Sequence, residues 1–175
     1  KAVLLSGTVL RHAVPSLDSL EVVTADTLDF GELPRAAFTD RTVYVFDQGY
    51  DALQARLAVS DGVIAGGDGR FSIVGGFESA LVAGAPAGFS VHFDTTGAVN
   101  DSTYEATLTF TCADEALPGA QAQPDLVVTL RARAVDSNTS VPGTPPVALR
   151  FYPPRPNPSA GAFRFGFDLP VATTV

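Results

Sequence analysis

Carboxylates are the residues best suited to chemistry in this sequence, and most of them stand in turn-like stretches. The candidates are Asp47, Asp51, Asp61, Asp68, Asp94, Asp101, Asp114 and Glu115. Two carboxylates could cleave a glycosidic bond, and oxygen ligands at loop ends could hold calcium. Asp is also a common turn former, and neither an EF-hand nor a glycine-rich nonapeptide repeat occurs. We therefore expect no cofactor and no metal site, with calcium as the ion that these ligands would favour.

Histidine, serine and cysteine do not form a catalytic set in this sequence. His12 and His92 are its two histidines, and His92 alternates out of phase with the apolar residues around it, which predicts a solvent-facing ring. No G-x-S-x-G nucleophile motif occurs. Cys112, the single cysteine, is in phase with apolar neighbours, which predicts a buried and unreactive thiol. We expect no catalytic residues and no enzyme activity.

Composition excludes several classes of partner. The 175 residues carry a net charge of −8 with scattered arginines, so nucleic acid is not an expected partner. No apolar run reaches the length of a membrane span. A hydrophobic content of 46% supports one sizeable core. Because the sequence contains no Met, we expect a mature or excised piece of an exported protein.

Alternation of apolar and polar residues predicts an all-β chain. The clearest strands are "TYEATLTFTC" and "DLVVTLRARAV", followed by "GFSVHFD" and "RFSIV". "LQARLAV" predicts a strand with Leu53, Ala55, Leu57 and Val59 inward, and the unbroken run "TVYVF" predicts a strand buried on both faces. Turn clusters, among them "SDGVIAGGDG", separate the strands. Short strands at this spacing indicate a β-sandwich with hairpin and Greek-key connections, and strand-like extensions are expected at its N- and C-terminal ends.

Four segments are expected along the chain. Residues 1–19 form a strand-like N-terminal extension, and residues 20–135 form the sandwich. Residues 136–146, "DSNTSVPGTPP", form a Pro-rich linker. Residues 147–175 form a C-terminal strand segment.

The central block resembles a known family of immunoglobulin-like modules. The resemblance rests on "LDFGEL", "DQGY", "GGDGRFSIVGG", "AGFSVHFDTTG", "STYEATLTFTC" and "DLVVTLRARAV", in this order over about 115 residues. These stretches are similar to the choice-of-anchor or ASPM–SPD-2–Hydin type of module, which recurs in large bacterial surface and secreted proteins. The resemblance implies a bacterial protein that is extracellular or attached to the cell surface.

The end of the sequence resembles the start of a second module. "LRFYPPRPNPSAGAFRFGFDLP" is similar to the opening of the FlgD-like or type IX secretion sorting domain. This resemblance implies export and surface attachment, with only the first part of the sorting domain present.

Both ends of the sequence are candidates for strand docking. Near the carboxyl end, one strand face carries Phe163, Phe165, Phe167 and Leu169. Burying such a side chain contributes about 1.5–3 kcal/mol, and a single strand leaves its backbone groups unpaired. This strand is therefore expected to join a sheet edge, either in its own chain or in a neighbouring subunit. Val3, Leu5 and Val9 give the amino end the same character.

The sequence thus predicts a non-enzymatic, exported structural or adhesive module of a bacterial surface assembly. Its expected partners are further copies of itself or neighbouring surface modules, and donation of a terminal strand would build an extracellular filament. The alternative hypothesis is an accessory module, binding carbohydrate or a surface, in a larger secreted enzyme.

Overall fold

A computed structural model describes residues 7–135 and the backbone of residues 150–151 and 167–168. The chain divides into two compact units, Lys1–Ser137 and Asn138–Val175. The first unit contains nine strands within the described residues. Two three-residue 3-10 turns, Arg35–Ala37 and Gly67–Gly69, are the helical elements of the same range. None of the described helical segments has the length and apolar character that crossing a membrane requires.

The first unit is a sandwich of two β-sheets. The strands of the first sheet are β1 (Pro15–Ser16), β3 (Arg41–Asp47), β5 (Phe71–Ile73) and β7 (Ala87–Phe93), in the order β1-β3-β7-β5. The strands of the second sheet are β2 (Ala25–Pro34), β4 (Leu57–Gly66), β6 (Ala80–Val82), β8 (Ser102–Asp114) and β9 (Leu126–Val135), in the order β2-β9-β8-β4-β6.

The sheet β1-β3-β7-β5 and the strands β9-β8-β4 of the other sheet correspond to the four-stranded and three-stranded sheets of an immunoglobulin sandwich. The neighbouring strands pair antiparallel, except that β2 runs parallel to β9. The N-terminal stretch contributes β1 to the first sheet and then crosses to the second sheet as β2, so it supplies an edge strand to both sheets. The predicted all-β, immunoglobulin-like sandwich is confirmed.

The core lies between the two sheets and follows the predicted alternation. In β8 and β9 every second side chain is buried, from Tyr104 to Cys112 and from Leu126 to Ala134. The largest fully buried side chains are Phe30, Phe93 and Phe110. Strands β2 to β7 contribute to the same hydrophobic cluster, so one continuous core joins the sheets.

Tyr104 marks the corner between β7 and β8. Its hydroxyl accepts a hydrogen bond from the amide of Val99 at 2.8 Å, while its ring is buried against Phe93. The guanidinium of Arg70 covers the ring at 4.8 Å. A Tyr near the start of the equivalent strand, bonded to backbone a few residues upstream, is the tyrosine corner of immunoglobulin-like domains.

Two strand predictions were wrong in detail. The run "TVYVF" was expected to be buried on both faces, but Tyr44 in β3 is 53% exposed while Val43 and Val45 are buried. No described layer covers the outer face of the first sheet, so only one face of β3 meets the core. Leu53 was expected to point inward, but it is 55% exposed because β4 begins only at Leu57.

The stretch "SDGVIAGGDG" was predicted to be a turn, but most of it belongs to β4. This strand stays paired with β8 as far as Gly66, with an irregularity in register between Val59 and Asp61. A side chain at Gly62 would meet Phe77, because a Cβ built there lies 2.5 Å from the ring atom Cδ2 of Phe77. Gly62 therefore leaves room for an aromatic ring and does not mark a turn.

The described part of the second unit is a short antiparallel ladder. Its two strands are β10 (Arg150–Phe151) and β11 (Phe167–Asp168). Arg150 pairs with Asp168, and Phe151 pairs with Phe167. The backbone of Phe167 thus has a strand partner close by in the sequence, which the sequence analysis did not anticipate.

Candidate functional site

Within the part of the chain that the structure describes, the β3 strand has one edge that is only partly covered. Its residues Arg41–Val45 pair with β7 on one side, whereas β1 on the other side pairs only with Phe46 and Asp47. The amide of Gln48 donates to the carbonyl of Val14, which shows that even-numbered residues face the β1 side. Backbone groups alternate in direction along an antiparallel strand. The amides and carbonyls of Thr42 and Tyr44 therefore point to an edge that no described strand occupies.

Contacts between side chains of β3 and residues of β7 on the outer face of the sheet hold β3 in a regular extended conformation. Thr42 and Ser90 lie opposite each other, with their hydroxyl oxygens 3.1 Å apart. Tyr44 lies opposite Gly88 and covers it, since a Cβ built at Gly88 would be 3.2 Å from Cε1 of the Tyr44 ring. The strand thus stays extended up to Asp47, which makes it a suitable template for a further strand.

A groove of about 280 Å³ opens between the β3 edge and β2. Its apolar lining includes Leu17, Leu28, Val43 and Phe46. Side chains of an added strand that point inward would enter this groove, while the backbone of that strand would pair with Thr42 and Tyr44. We call the free side of Arg41–Val45, together with this groove, the β3 edge.

The opposing edge strand, β2, is protected against pairing. It carries Asp26, Asp29 and Glu32, and its register against β9 shifts between Asp29 and Glu32, around Gly31 with φ +84°. Charges and bulges are devices that keep edge strands from pairing with other chains. Of the two strands that border the groove, β3 is therefore the one suited to strand addition.

The segment before β1 is held by two buried carboxylates, one from each sheet. Asp114 at the end of β8 accepts a hydrogen bond from the amide of Ala13 at 2.8 Å. Asp47 at the end of β3 accepts one from the next amide, Val14, at 2.9 Å. Ala13 is 2% exposed. We call Asp47, Asp114 and the segment His12–Val14 between them the clasp.

Asp114 is fully satisfied as an acceptor. Beyond the Ala13 amide, it accepts hydrogen bonds from the amide of Gln121 at 2.9 Å and the side chain of Gln123 at 3.0 Å. Nδ1 of His12 lies 2.6 Å from Oδ2 of Asp114. Burial raises the pKa of the Asp114 carboxyl, but these hydrogen bonds and the charge of His12 outweigh it and hold the pKa below its ordinary value.

Asp47 differs from Asp114 in having one unsatisfied oxygen. Its Oδ1 accepts hydrogen bonds from Val14 and from Nε2 of Gln54 at 2.7 Å, whereas its Oδ2 is buried and has no partner among the described residues. Burial raises the pKa of Asp47, and the negative charge of Asp114 adds to this effect. The amides of Val14 and Leu57 and the Gln54 side chain oppose the rise but do not cancel it.

The other predicted chemical residues are dispersed. His92 is exposed as predicted and lies 2.7 Å from Asp40, while Cys112 is buried as predicted. Among the described residues, no three His, Cys, Asp or Glu side chains come together in a way that would hold a metal ion.

Of the predicted docking residues, Val9 lies within the described range. Its side chain is 93% exposed, so it is not docked on the sandwich of its own chain. Phe167 has a described backbone in β11, and Val3, Leu5, Phe163, Phe165 and Leu169 lie outside the described residues. Docking of these side chains stays a prediction.

The roles of Thr42, Tyr44 and the clasp were not predicted from the sequence. A signal for the clasp was present, because Asp47 follows Val43 and Val45 in phase and Asp114 follows Phe110 and Cys112 in phase. A carboxylate at an inward position of a strand needs hydrogen-bond donors from elsewhere in the fold.

Comparison with known proteins does not assign this chain to a family. No protein-family model matches the sequence, and no curated protein matches it. Among solved structures, the chain is similar to the crystal structure of the YadV chaperone, with a TM-score of 0.45 and 12% sequence identity. That alignment covers 79% of this chain and 60% of the YadV chain, so it spans less than two thirds of the latter.

Proposed function

We propose that this chain is a non-catalytic structural or adhesive module that associates through β-strand addition at the β3 edge. The observation that supports the proposal is the regular backbone of Thr42 and Tyr44, which no described strand pairs with, beside a groove that is lined in part by apolar side chains. Strand addition supplies affinity through main-chain hydrogen bonds and specificity through pockets for alternate side chains. The β3 edge offers both.

The proposed occupant is the strand around Phe165 of a second copy. Phe163, Phe165 and Phe167 alternate along this strand, so their side chains would lie on one face and could enter the groove together. A two-stranded ladder such as β10 and β11 is marginal in water, and a third strand would stabilise it. The amino end is the weaker candidate as a donor, because the clasp already engages His12–Val14 within the chain.

Head-to-tail repetition of this contact would produce a filament. Donor and acceptor lie on different parts of the chain, so the interface is heterologous and need not close into a ring. The resemblance of the sequence to choice-of-anchor and sorting modules supports an exported bacterial surface protein as the setting. The proposed partners are accordingly further copies of this chain or neighbouring surface modules.

The test measures assembly of the full chain and of edge variants. Light scattering after size exclusion, over a range of concentrations, and negative-stain imaging should show polymers for the wild-type chain. Thr42→Pro removes an amide that faces the free edge and should abolish assembly without breaking a bond to β7. Thr42→Val is the matched control, because it keeps the amide and should assemble normally.

A second pair of variants tests the donor. Phe165→Glu should abolish assembly, whereas Arg164→Gln, on the opposite face of the predicted strand, should not. Mixing Thr42→Pro with Phe165→Glu combines one intact donor with one intact acceptor, so it should produce dimers and nothing larger.

Three results would contradict the proposal. A wild-type chain that stays monomeric at every concentration would reject assembly, and glycan binding by that monomer would favour an accessory module. A monomer destabilised by Phe165→Glu would indicate docking within one chain. Assembly that survives Thr42→Pro would show that the β3 edge is not the acceptor.

A further inference from the structure

The clasp joins the N-terminal strand to the same β3 strand that forms the proposed docking edge. β1 covers Phe46 and Asp47, and it reaches them directly after the clasp has fixed Ala13 and Val14. Beyond Ser16 the chain turns away, held by the Ser16 hydroxyl, which donates to the carbonyl of Glu21 at 2.7 Å. The clasp therefore lies directly before β1 and is one of the contacts that hold β1 on β3.

The two carboxylates of the clasp are in different electrostatic environments. Asp114 has four polar partners, including the ring of His12. Asp47 is 5% exposed, has no cationic partner, and leaves Oδ2 without a hydrogen bond among the described residues. An ionised Asp47 is thus a buried charge whose Oδ2 has no hydrogen-bond partner among the described residues, and such a charge is costly.

Among the described residues, no charged group of opposite sign compensates Asp47. The charged residue that acts on it is Asp114 from β8, which has the same sign, and His12 contacts Asp114 and not Asp47. The cations at this end of the sandwich are already engaged in the ion pairs Arg11–Asp51 and Arg56–Glu115.

We propose that the clasp is a proton-controlled latch, in which ionisation of Asp47 loosens Val14 and β1 and so lengthens the open β3 edge from Arg41–Val45 to Arg41–Asp47. The assembly consequence rests on the proposed function, whereas the latch itself does not. Opening brings water to Oδ2 of Asp47, so the ionised carboxylate favours the open state. A neutral Asp47 keeps Oδ1 as the acceptor for Val14 and buries no charge, so it favours the closed state.

The direction of the pH dependence follows from the opposite shifts in the pKa values of Asp47 and Asp114. The pKa of Asp47 is raised in the closed state, so its contribution to closure is complete below the ordinary value of 3.8 and is lost as the pH rises through the raised value. The pKa of Asp114 is lowered, so its contribution is complete above 3.8 and is lost at more acidic pH. Closure of the clasp is therefore most favourable around the ordinary value of 3.8 and weakens as the pH rises through the raised pKa of Asp47.

The experiment is amide hydrogen exchange of the full chain between pH 4 and pH 8, corrected for intrinsic exchange rates. The reporters are the amides of Val14 and Gln48, which are bonded to Asp47 and to the Val14 carbonyl. The protection of these two amides against exchange should fall with rising pH. The total fall should be about tenfold for each unit by which the closed state raises the pKa of Asp47. The amide of Asp101, bonded to Ala134 at the β7–β8 end of the sandwich, should show no such change.

The variant Asp47→Asn tests the effect of the charge on Asp47 separately from its role as a hydrogen-bond acceptor. Asn keeps an acceptor oxygen and carries no charge, so protection of Val14 and Gln48 should become flat over this pH range. Asp61→Asn, which alters an exposed carboxylate in β4, should retain the wild-type slope. A flat wild-type profile, or an unchanged slope in Asp47→Asn, would overturn the latch. Failure of assembly with an intact slope would instead contradict the proposed function alone.

Discussion

The amide of Ala13 donates a 2.8 Å hydrogen bond to Oδ1 of Asp114, a residue 101 positions further along the chain. This bond ties the N-terminal segment to the end of β8, in the sheet that β1 does not belong to. The neighbouring amide of Val14 is tied to Asp47 in the other sheet. The N-terminal segment thus acts as a brace between the two sheets.

Asp114→Asn should destabilise the sandwich strongly. The Asn side chain has one acceptor oxygen, and its NH2 group would face donors that Asp114 now satisfies, such as the amide of Gln121. Loss of charged hydrogen bonds to buried donors should lower the free energy of unfolding by about 2–4 kcal/mol. Urea unfolding at pH 7 measures this loss.

The control is Asp51→Asn. Asp51 is an exposed carboxylate whose ion pair with Arg11 is also exposed, so its removal should change stability very little. Equal losses in the two variants would mean that the clasp is not a special contributor to stability.

Acid should weaken the wild-type protein through Asp114. The folded state holds the pKa of Asp114 below 3.8, so its contribution to stability is present above that value and is lost as the pH falls through the lowered one. Urea midpoints measured from pH 5 to pH 2 should fall for the wild type and fall less for Asp114→Asn. Parallel curves would assign the acid sensitivity to other carboxylates.

The alternation of apolar residues along each strand predicted which side chains form the core. The contacts between distant segments of the chain could not be predicted from the sequence. Tyr104, Leu108 and Phe110 alternate with Thr and Glu, and burial follows that alternation. The prediction that β3 is buried on both faces was wrong because of Tyr44. Its largely apolar ring suits a buried strand, but in the structure it covers Gly88 on the exposed face of the sheet. The part of the β3 edge that no described strand covers depends on where β1 ends, which no local pattern predicts.

Tyr104→Phe should cost about 1 kcal/mol of stability, because it removes the acceptor of the Val99 amide while keeping the packed ring. Urea unfolding gives the total loss. Hydrogen exchange should place the loss locally, with faster exchange at Val99 and unchanged exchange at Val127, which is bonded to Thr24. Unchanged exchange at Val99 would mean that the corner contributes by packing alone.

The thiol of Cys112 should be unreactive in the folded protein. Burial raises the pKa of this thiol to about 11, with the charge of Asp125 adding to the effect. At pH 8 about one thiol in a thousand would be ionised, and the side chain is also 2% exposed. A thiol reagent such as DTNB should therefore label Cys112 slowly in native buffer and rapidly in denaturant. Fast labelling of the native protein would show that β8 opens locally.

Gly62 and Phe77 should be energetically coupled. The ring of Phe77 lies where a Gly62 side chain would be, and it stacks on Phe89 with centroids 5.5 Å apart and an interplanar angle of 10°. Gly62→Ala must displace this ring and should cost about 1–3 kcal/mol. Phe77→Ala alone should also destabilise, because the stacking on Phe89 is lost.

The double variant Gly62→Ala/Phe77→Ala separates steric conflict from backbone preference. Without the Phe77 ring, the added methyl group has room, although Ile73 Cδ1 remains 3.3 Å from the ideal Cβ position. The cost of Gly62→Ala should therefore shrink in the Phe77→Ala background, which urea unfolding of all four proteins measures as a coupling energy. Additive losses would mean that Gly62 is required for its backbone and not for the space it leaves to Phe77.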